Sequence, residues 1–95
     1  MHIISRKALK EFSICYPNSK TALDTWFQIV STNTFENFND LRQIFPSADQ
    51  VGHLIVFNIG GNKYRLIASV HFNRQKLYVR HILTHAEYDR GKWKE

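Results

Sequence analysis

The apolar positions of this chain change their period near residue 50. In the first half they recur at spacings of three and four: Ala8, Leu9, Phe12, Cys15 and Tyr16, then Ala22, Leu23, Trp26, Phe27 and Val30. That spacing lines one face of an α-helix. Ser5 stands where the first helix needs an N-cap. Pro17 ends that helix, because the residue before a proline avoids helical geometry. Asn18 and Ser19 turn the chain into the second helix, and so short a connection predicts an antiparallel helical hairpin. Ser31-Thr32-Asn33-Thr34 closes it. Leu41, Ile44 and Phe45 mark a third, short helical piece that Pro46 breaks. Ahead of all this, Met1 to Ile4 reads as a short edge strand.

From residue 51 the period is two. Val51 to Asn58 reads as a strand, and Gly60-Gly61-Asn62 as a turn, since glycine accepts positive φ without steric cost. Tyr64 to Phe72 is a second strand, with Tyr64, Leu66, Ala68, Val70 and Phe72 on one face and Arg65, Ile67, Ser69 and His71 on the other. Asn73-Arg74-Gln75 turns into a third strand, Lys76 to Leu83. Its alternation puts Leu77, Val79, His81 and Leu83 on one face and Tyr78, Arg80, Ile82 and Thr84 on the other. Short loops imply an antiparallel meander with one face covered by the helices. His85 to Trp93 reads as a terminal helix, with Thr84 as N-cap and Glu87 completing a capping box. The expected architecture is a single α+β domain over residues 1–95. An antiparallel sheet, made of the N-terminal strand and a C-terminal three-strand meander, packs against a two-to-three-helix N-terminal segment, and a short C-terminal helix follows.

Charge adds an asymmetry that folding does not need. The 95 residues carry 13 Lys or Arg and 8 Asp or Glu, a net charge of +5. Residues 1–60 are balanced, and the whole excess falls in residues 61–95. Clustered cations suit a polyanionic partner, because they release counterions from phosphates. The longest fully apolar run is Leu54 to Phe57, too short to span a bilayer. The first residues lack a signal-peptide pattern, and Cys15 has no internal disulfide partner. A cytoplasmic protein without membrane contact is expected, with Cys15 as a small buried hydrophobe. Five histidines and one cysteine match no zinc spacing. Gly60-Gly61 precedes a strand rather than a helix, so it is no phosphate cradle. No metal and no cofactor are expected.

The stretch RHILTHAEYD (80–89) concentrates an arginine, two histidines, a tyrosine and two carboxylates around Ile82 and Leu83. Cleavage of RNA needs only such groups. The 2′-hydroxyl is itself the nucleophile, so the protein has to move protons and neutralise phosphate charge. Histidine transfers protons near neutrality. The arginine fork binds two phosphate oxygens and stays charged. Tyrosine stacks on a base or orients the 2′-hydroxyl. In an antiparallel meander, the start of strand 64–72 lies beside the end of strand 76–83. That places Arg65 near residues 82–84 and toward His85. His81 reads as a core-edge histidine, Glu87 as a cap, Asp89 as a favourable first-turn charge, and Trp93 as packing on the sheet.

Two segments, FNIGGNKYRLIASVHF (57–72) and YVRHILTHAEYDRGKW (78–93), closely resemble the HigB-type toxins of bacterial toxin–antitoxin systems, a branch of the RelE/ParE superfamily. MHIISRKALKEF at the start resembles theirs too. The resemblance implies a small RelE-like fold and a metal-independent mRNA interferase that cuts translated messages on the ribosome. It also implies a HigA-type helix-turn-helix antitoxin as partner, with operator DNA contacted only through the toxin–antitoxin complex. Arg65 matches the arginine that contacts the scissile phosphate in RelE relatives. His85 and Tyr88 match the family's Thr-His-x-x-Tyr-Asp motif, and Lys63 and Arg80 match basic positions. Well-studied RelE members carry lysines and arginines where this chain has His85 and Ala86, which leaves the identities of acid and base open. The expected site is therefore Arg65 and Arg80 on the phosphate, His85 as acid or base and Tyr88 on the nucleotide, with Lys63, Arg74, Lys76 and Arg90 holding RNA. Two other readings share the fold: a ParE-like poison of a non-RNA target, and a non-catalytic RNA-binding module.

Overall fold

Three of the four α-helices begin where a polar side chain accepts from a free amide of the first turn, and the second instead grows directly out of a 3-10 turn. The computed structural model describes residues 1–94. After strand β1 (His2–Ile4), Ser5 accepts from the Lys7 amide and starts α1 (Arg6–Cys15). A 3-10 turn over Pro17–Ser19 leads into α2 (Lys20–Thr32). The Asn37 side chain accepts from the Asp40 amide at 2.9 Å and opens α3 (Phe38–Ile44). Strands β2 (Asp49–Val51), β3 (Leu54–Ile59), β4 (Tyr64–His71) and β5 (Lys76–Thr84) follow, and the short helix α4 (His85–Arg90) closes the order.

The five strands form one sheet in the order β1-β5-β4-β3-β2. Strands β2 to β5 are successive antiparallel neighbours, whereas β1 runs parallel to β5, pairing His2 with Lys76 and Ile4 with Tyr78. The expected α+β architecture is what the chain adopts, with a mixed rather than wholly antiparallel sheet. One face carries the helices. Leu9, Leu23, Trp26, Val30 and Leu41 bury themselves against Phe57, Leu66, Ala68 and Leu77. The other face carries a smaller cluster of Val56, Ile67 and Trp93, flanked by Leu54, Leu83 and Tyr88.

Four local expectations need correction. The strand expected over 51–58 is a hairpin, because Gly52 takes a φ of +62° and its turn with His53 separates β2 from β3. Strand β5 does not alternate strictly. Ile67 pairs with His81 and Ala68 with Val79, so Arg80 is the extra residue of a β-bulge. Val79 and Ile82 therefore pack on the helix side, while Leu83 packs on the other. Cys15, expected inside, is exposed. It is the last residue of α1, and beyond it the Tyr16 ring stacks on Phe12 at 4.6 Å. Ile44, at the end of α3, is also exposed.

Leu66 is fully buried between the helices and the sheet. Leu66→Ala should lower unfolding free energy by about 2–5 kcal/mol, and Cys15→Ser should change it by less than about 0.5 kcal/mol, both read from denaturant titrations.

Candidate active site

The site begins at the corner where β5 becomes α4. Thr84 is extended, and its hydroxyl accepts from the Glu87 amide at 3.3 Å. The Glu87 carboxylate accepts in return from the Thr84 amide at 3.0 Å. This capping box is the one its sequence announces. The first amide of α4, that of His85, donates to the Lys63 carbonyl at 3.0 Å. Helix α4 is thus tied to the loop before β4. Gly91, with a φ of +73°, ends the helix and returns the chain so that Trp93 reaches the sheet.

On that frame Arg65 sits opposite Leu83 in register, as the meander argument requires. It is only 8% exposed. Its guanidinium donates to the Tyr64 carbonyl at 3.1 Å and to Asn62 Oδ1 at 2.8 Å. The Tyr88 ring lies 5.3 Å from the guanidinium carbon and contributes a cation–π contact. Tyr88 is in turn stacked on Trp93 at 5.2 Å, and the Trp93 indole N–H donates to the Tyr88 carbonyl. Arg65 is therefore held in place by a loop amide, a main-chain carbonyl and a braced aromatic ring. The ion pairs among the described residues join Lys7 to Glu11, Lys20 to Asp24 and His85 to Asp89. None involves Arg65. A buried cation without a carboxylate is costly, because neutral dipoles compensate its desolvation only in part. A phosphate oxygen supplies what this pocket lacks.

His85 stands beside this group at the start of α4. Its Nδ1 lies 3.0 Å from Asp89 Oδ2, one turn along the helix, and both side chains remain about half exposed. An imidazole that shares its Nδ1 proton with a carboxylate presents Nε2 outward as a proton acceptor.

The structure thus brings Arg65, His85, Tyr88 and Lys63 together at one end of the sheet. It does not bring in Arg80, which lines a groove between α1 and the β5 edge with Phe12, Cys15 and Tyr16. Arg90 ends α4 near the cluster. Arg74 and Lys76 flank the β4–β5 turn at the far end of the sheet, roughly 23 Å away at about 3.3 Å per strand residue. Sequence reasoning gave Asn62 to the turn and Asp89 to the helix dipole. The spacing of four between His85 and Asp89 was visible and fits a helical side-chain pair. Asn62 carried no such signal. Among the described residues, no group of three or more His, Cys, Asp or Glu is placed to hold a metal ion.

The family model described as HigB_toxin, RelE-like toxic component of a toxin–antitoxin system, matches residues 19–91. Over 92 residues the chain is 41% identical to the mRNA interferase toxin HigB of Escherichia coli strain K12, covering 94% of this chain and 88% of that protein. The mRNA interferase HigB of Shigella flexneri matches to the same extent. The mRNA interferase HigB of Escherichia coli O6:H1 is 34% identical over 93 residues, covering 95% of this chain and 90% of its own length.

The corner at Thr84 should be separable from the chemistry. Thr84→Ala should cost about 1 kcal/mol and speed amide hydrogen exchange at Glu87 and Tyr88, leaving exchange in β3 unchanged.

Proposed function

This chain belongs to the HigB family of RelE-like toxins of toxin–antitoxin systems, and on that premise we propose that it is an mRNA interferase, a metal-independent endoribonuclease that cuts translated messages on the ribosome. The observation that carries the reading is Arg65, a nearly buried guanidinium with no carboxylate partner among the described residues and with Tyr88 packed on it. It would hold the scissile phosphate and offset the charge that grows on it during attack.

The reaction has four bond changes. The 2′-oxygen loses its proton, forms a bond to phosphorus, the bond to the 5′-oxygen breaks, and that oxygen takes up a proton. The products are a 2′,3′-cyclic phosphate and a 5′-hydroxyl. His85 carries one of the two proton transfers through Nε2, and Asp89 is a positioning residue that holds the ring from Nδ1. Tyr88 keeps Arg65 in its conformation and offers its edge to the nucleotide. The donor set supports transfer without a metal, since an arginine and a histidine supply charge and protons directly. Lys63 and Arg90 would contact RNA near the cut. Arg74 and Lys76, at the opposite end of the sheet, fit contact with a larger RNA surface such as the ribosome. Arg80, beside α1, would contribute binding rather than direct contact with the reacting phosphate. The toxin would be neutralised by a HigA-type helix-turn-helix antitoxin, whose complex alone would bind operator DNA. No helix of the described residues is long and apolar enough to cross a membrane; the proposed action on translated messages would place the protein in the cytoplasm.

In a translation reaction, mapped message ends should show new 5′-hydroxyl termini. Arg65→Ala should reduce cleavage by at least about 10²-fold, and His85→Ala by about 10²–10⁴-fold. Chelation by EDTA, after cleavage is transferred to pre-programmed ribosomes in excess magnesium, should leave the rate unchanged when zinc and other transition ions are removed. Intact messages at saturating toxin would refute the reading. Growth arrest that survives a His85→Ala, Tyr88→Phe double substitution would turn it toward a poison of another target.

A further inference from the structure

The bulge at Arg80 has an effect on its neighbour. Strict alternation groups His81 with Val79, facing the helices. With one extra residue in β5, His81 instead lies opposite Ile67, on the face that α4 and Trp93 cover. Bulges near reactive sites commonly re-aim a side chain in this way. There His81 borders a groove of about 230 Å³ with Leu83, Glu87, Arg90, Lys92 and Trp93, and across the strand edge it also borders the α1 groove that Arg80 lines.

The groove has an apolar floor and a cationic rim. Leu83 forms the floor, and Leu83 is also the register partner of Arg65. Trp93 forms a rigid wall, because Tyr88 stacks on its ring and Lys94 lies 5.4 Å from the ring centre. His81, Arg90 and Lys92 are exposed around the opening. Among the described residues that line it, the one acid, Glu87, is engaged by the Thr84 amide and hydroxyl. The groove therefore adjoins the Arg65 site through Leu83 and through the Tyr88–Trp93 stack, and it repeats that site's preference for an anion.

We propose that this groove is a second nucleotide subsite, holding the residue of RNA next to the cut, with its base over Leu83 and its phosphate between His81, Arg90 and Lys92. The inference rests on the interferase reading and extends it to a residue, His81, that sequence reasoning set aside. An acidic segment of the antitoxin would meet the same charges. The continuity with Arg65, which is where the scissile phosphate would lie, favours RNA.

The test compares wild type with a His81→Ala, Lys92→Ala double variant on programmed ribosomes. Both side chains are exposed, so the fold should be retained, and thermal melting checks that. KM should rise about tenfold with kcat within about twofold, the signature of lost ground-state binding. With messages shortened by one nucleotide on either side of the cut, one of the two should abolish the KM difference. An unchanged KM on the full message, or a difference that survives both truncations, overturns the subsite. So does a loss of antitoxin affinity with KM unchanged. A 2′-O-methyl RNA tetranucleotide, which has no nucleophile, provides a readout independent of cleavage. Its addition should shift the NMR signals of the Leu83 methyls and the His81 ring in wild type, and should leave the Leu83 methyls of the variant unshifted. If wild type cuts no message, the interferase reading fails on its own, and these shifts still decide the groove: their absence refutes it.

Discussion

The site depends on the reciprocal hydrogen bonds between Thr84 and Glu87. They end a nine-residue strand and start a helix within one residue. Every later placement follows from that corner. His85 is fixed as the first helical residue, with its amide on Lys63. Tyr88 comes round one turn later, over Arg65. Gly91 then lets the chain reverse so that Trp93 braces Tyr88 from behind. A helix of six residues would not be stable alone, since nucleation is costly and few bonds repay it. Here the cap, the strand it grows from and the buried indole hold it in place.

That scaffold explains how a small domain keeps an arginine almost buried with no counter-charge among the described residues. The guanidinium is matched by an amide oxygen, a carbonyl and an aromatic face, each of which is itself fixed. Neutral dipoles orient a cation without cancelling it. The pocket therefore keeps a net attraction for an anion, in a setting where water screens it poorly. A carboxylate in the place of Asn62 would satisfy Arg65 more fully and would compete with a phosphate.

Much of this was legible in the residues. The helical hairpin, the β4–β5 register, the Thr84 cap and the meeting of Arg65 with the His85–Tyr88 pair all follow from period, turn chemistry and loop length. The failures have physical causes. A bulge leaves no compositional mark, so simple alternation assigns the wrong faces to β5 beyond Arg80, and with them the wrong place to His81. A two-residue turn at Gly52 was hidden inside an apolar run. The parallel pairing of β1 with β5 is a long-range contact that no local pattern encodes. Asn62 and Asp89 have ordinary local uses, in turns and first helical turns, which mask a role in orienting Arg65 and His85. The family relationship and the one-sided basic charge pointed to RNA. Only the geometry distinguishes Arg65, buried under Tyr88, from Arg80, exposed beside α1.

The most direct measurement is a structure of the protein on a programmed ribosome whose message carries a 2′-O-methyl group at the cut, so that the bound state persists. The account places a non-bridging oxygen of the scissile phosphate within about 3 Å of the Arg65 guanidinium, with His85 Nε2 facing the 2′-oxygen or the leaving 5′-oxygen. A scissile phosphate seated instead at Arg80 beside α1, with Arg65 still closed under Tyr88 and touching no RNA, would contradict it.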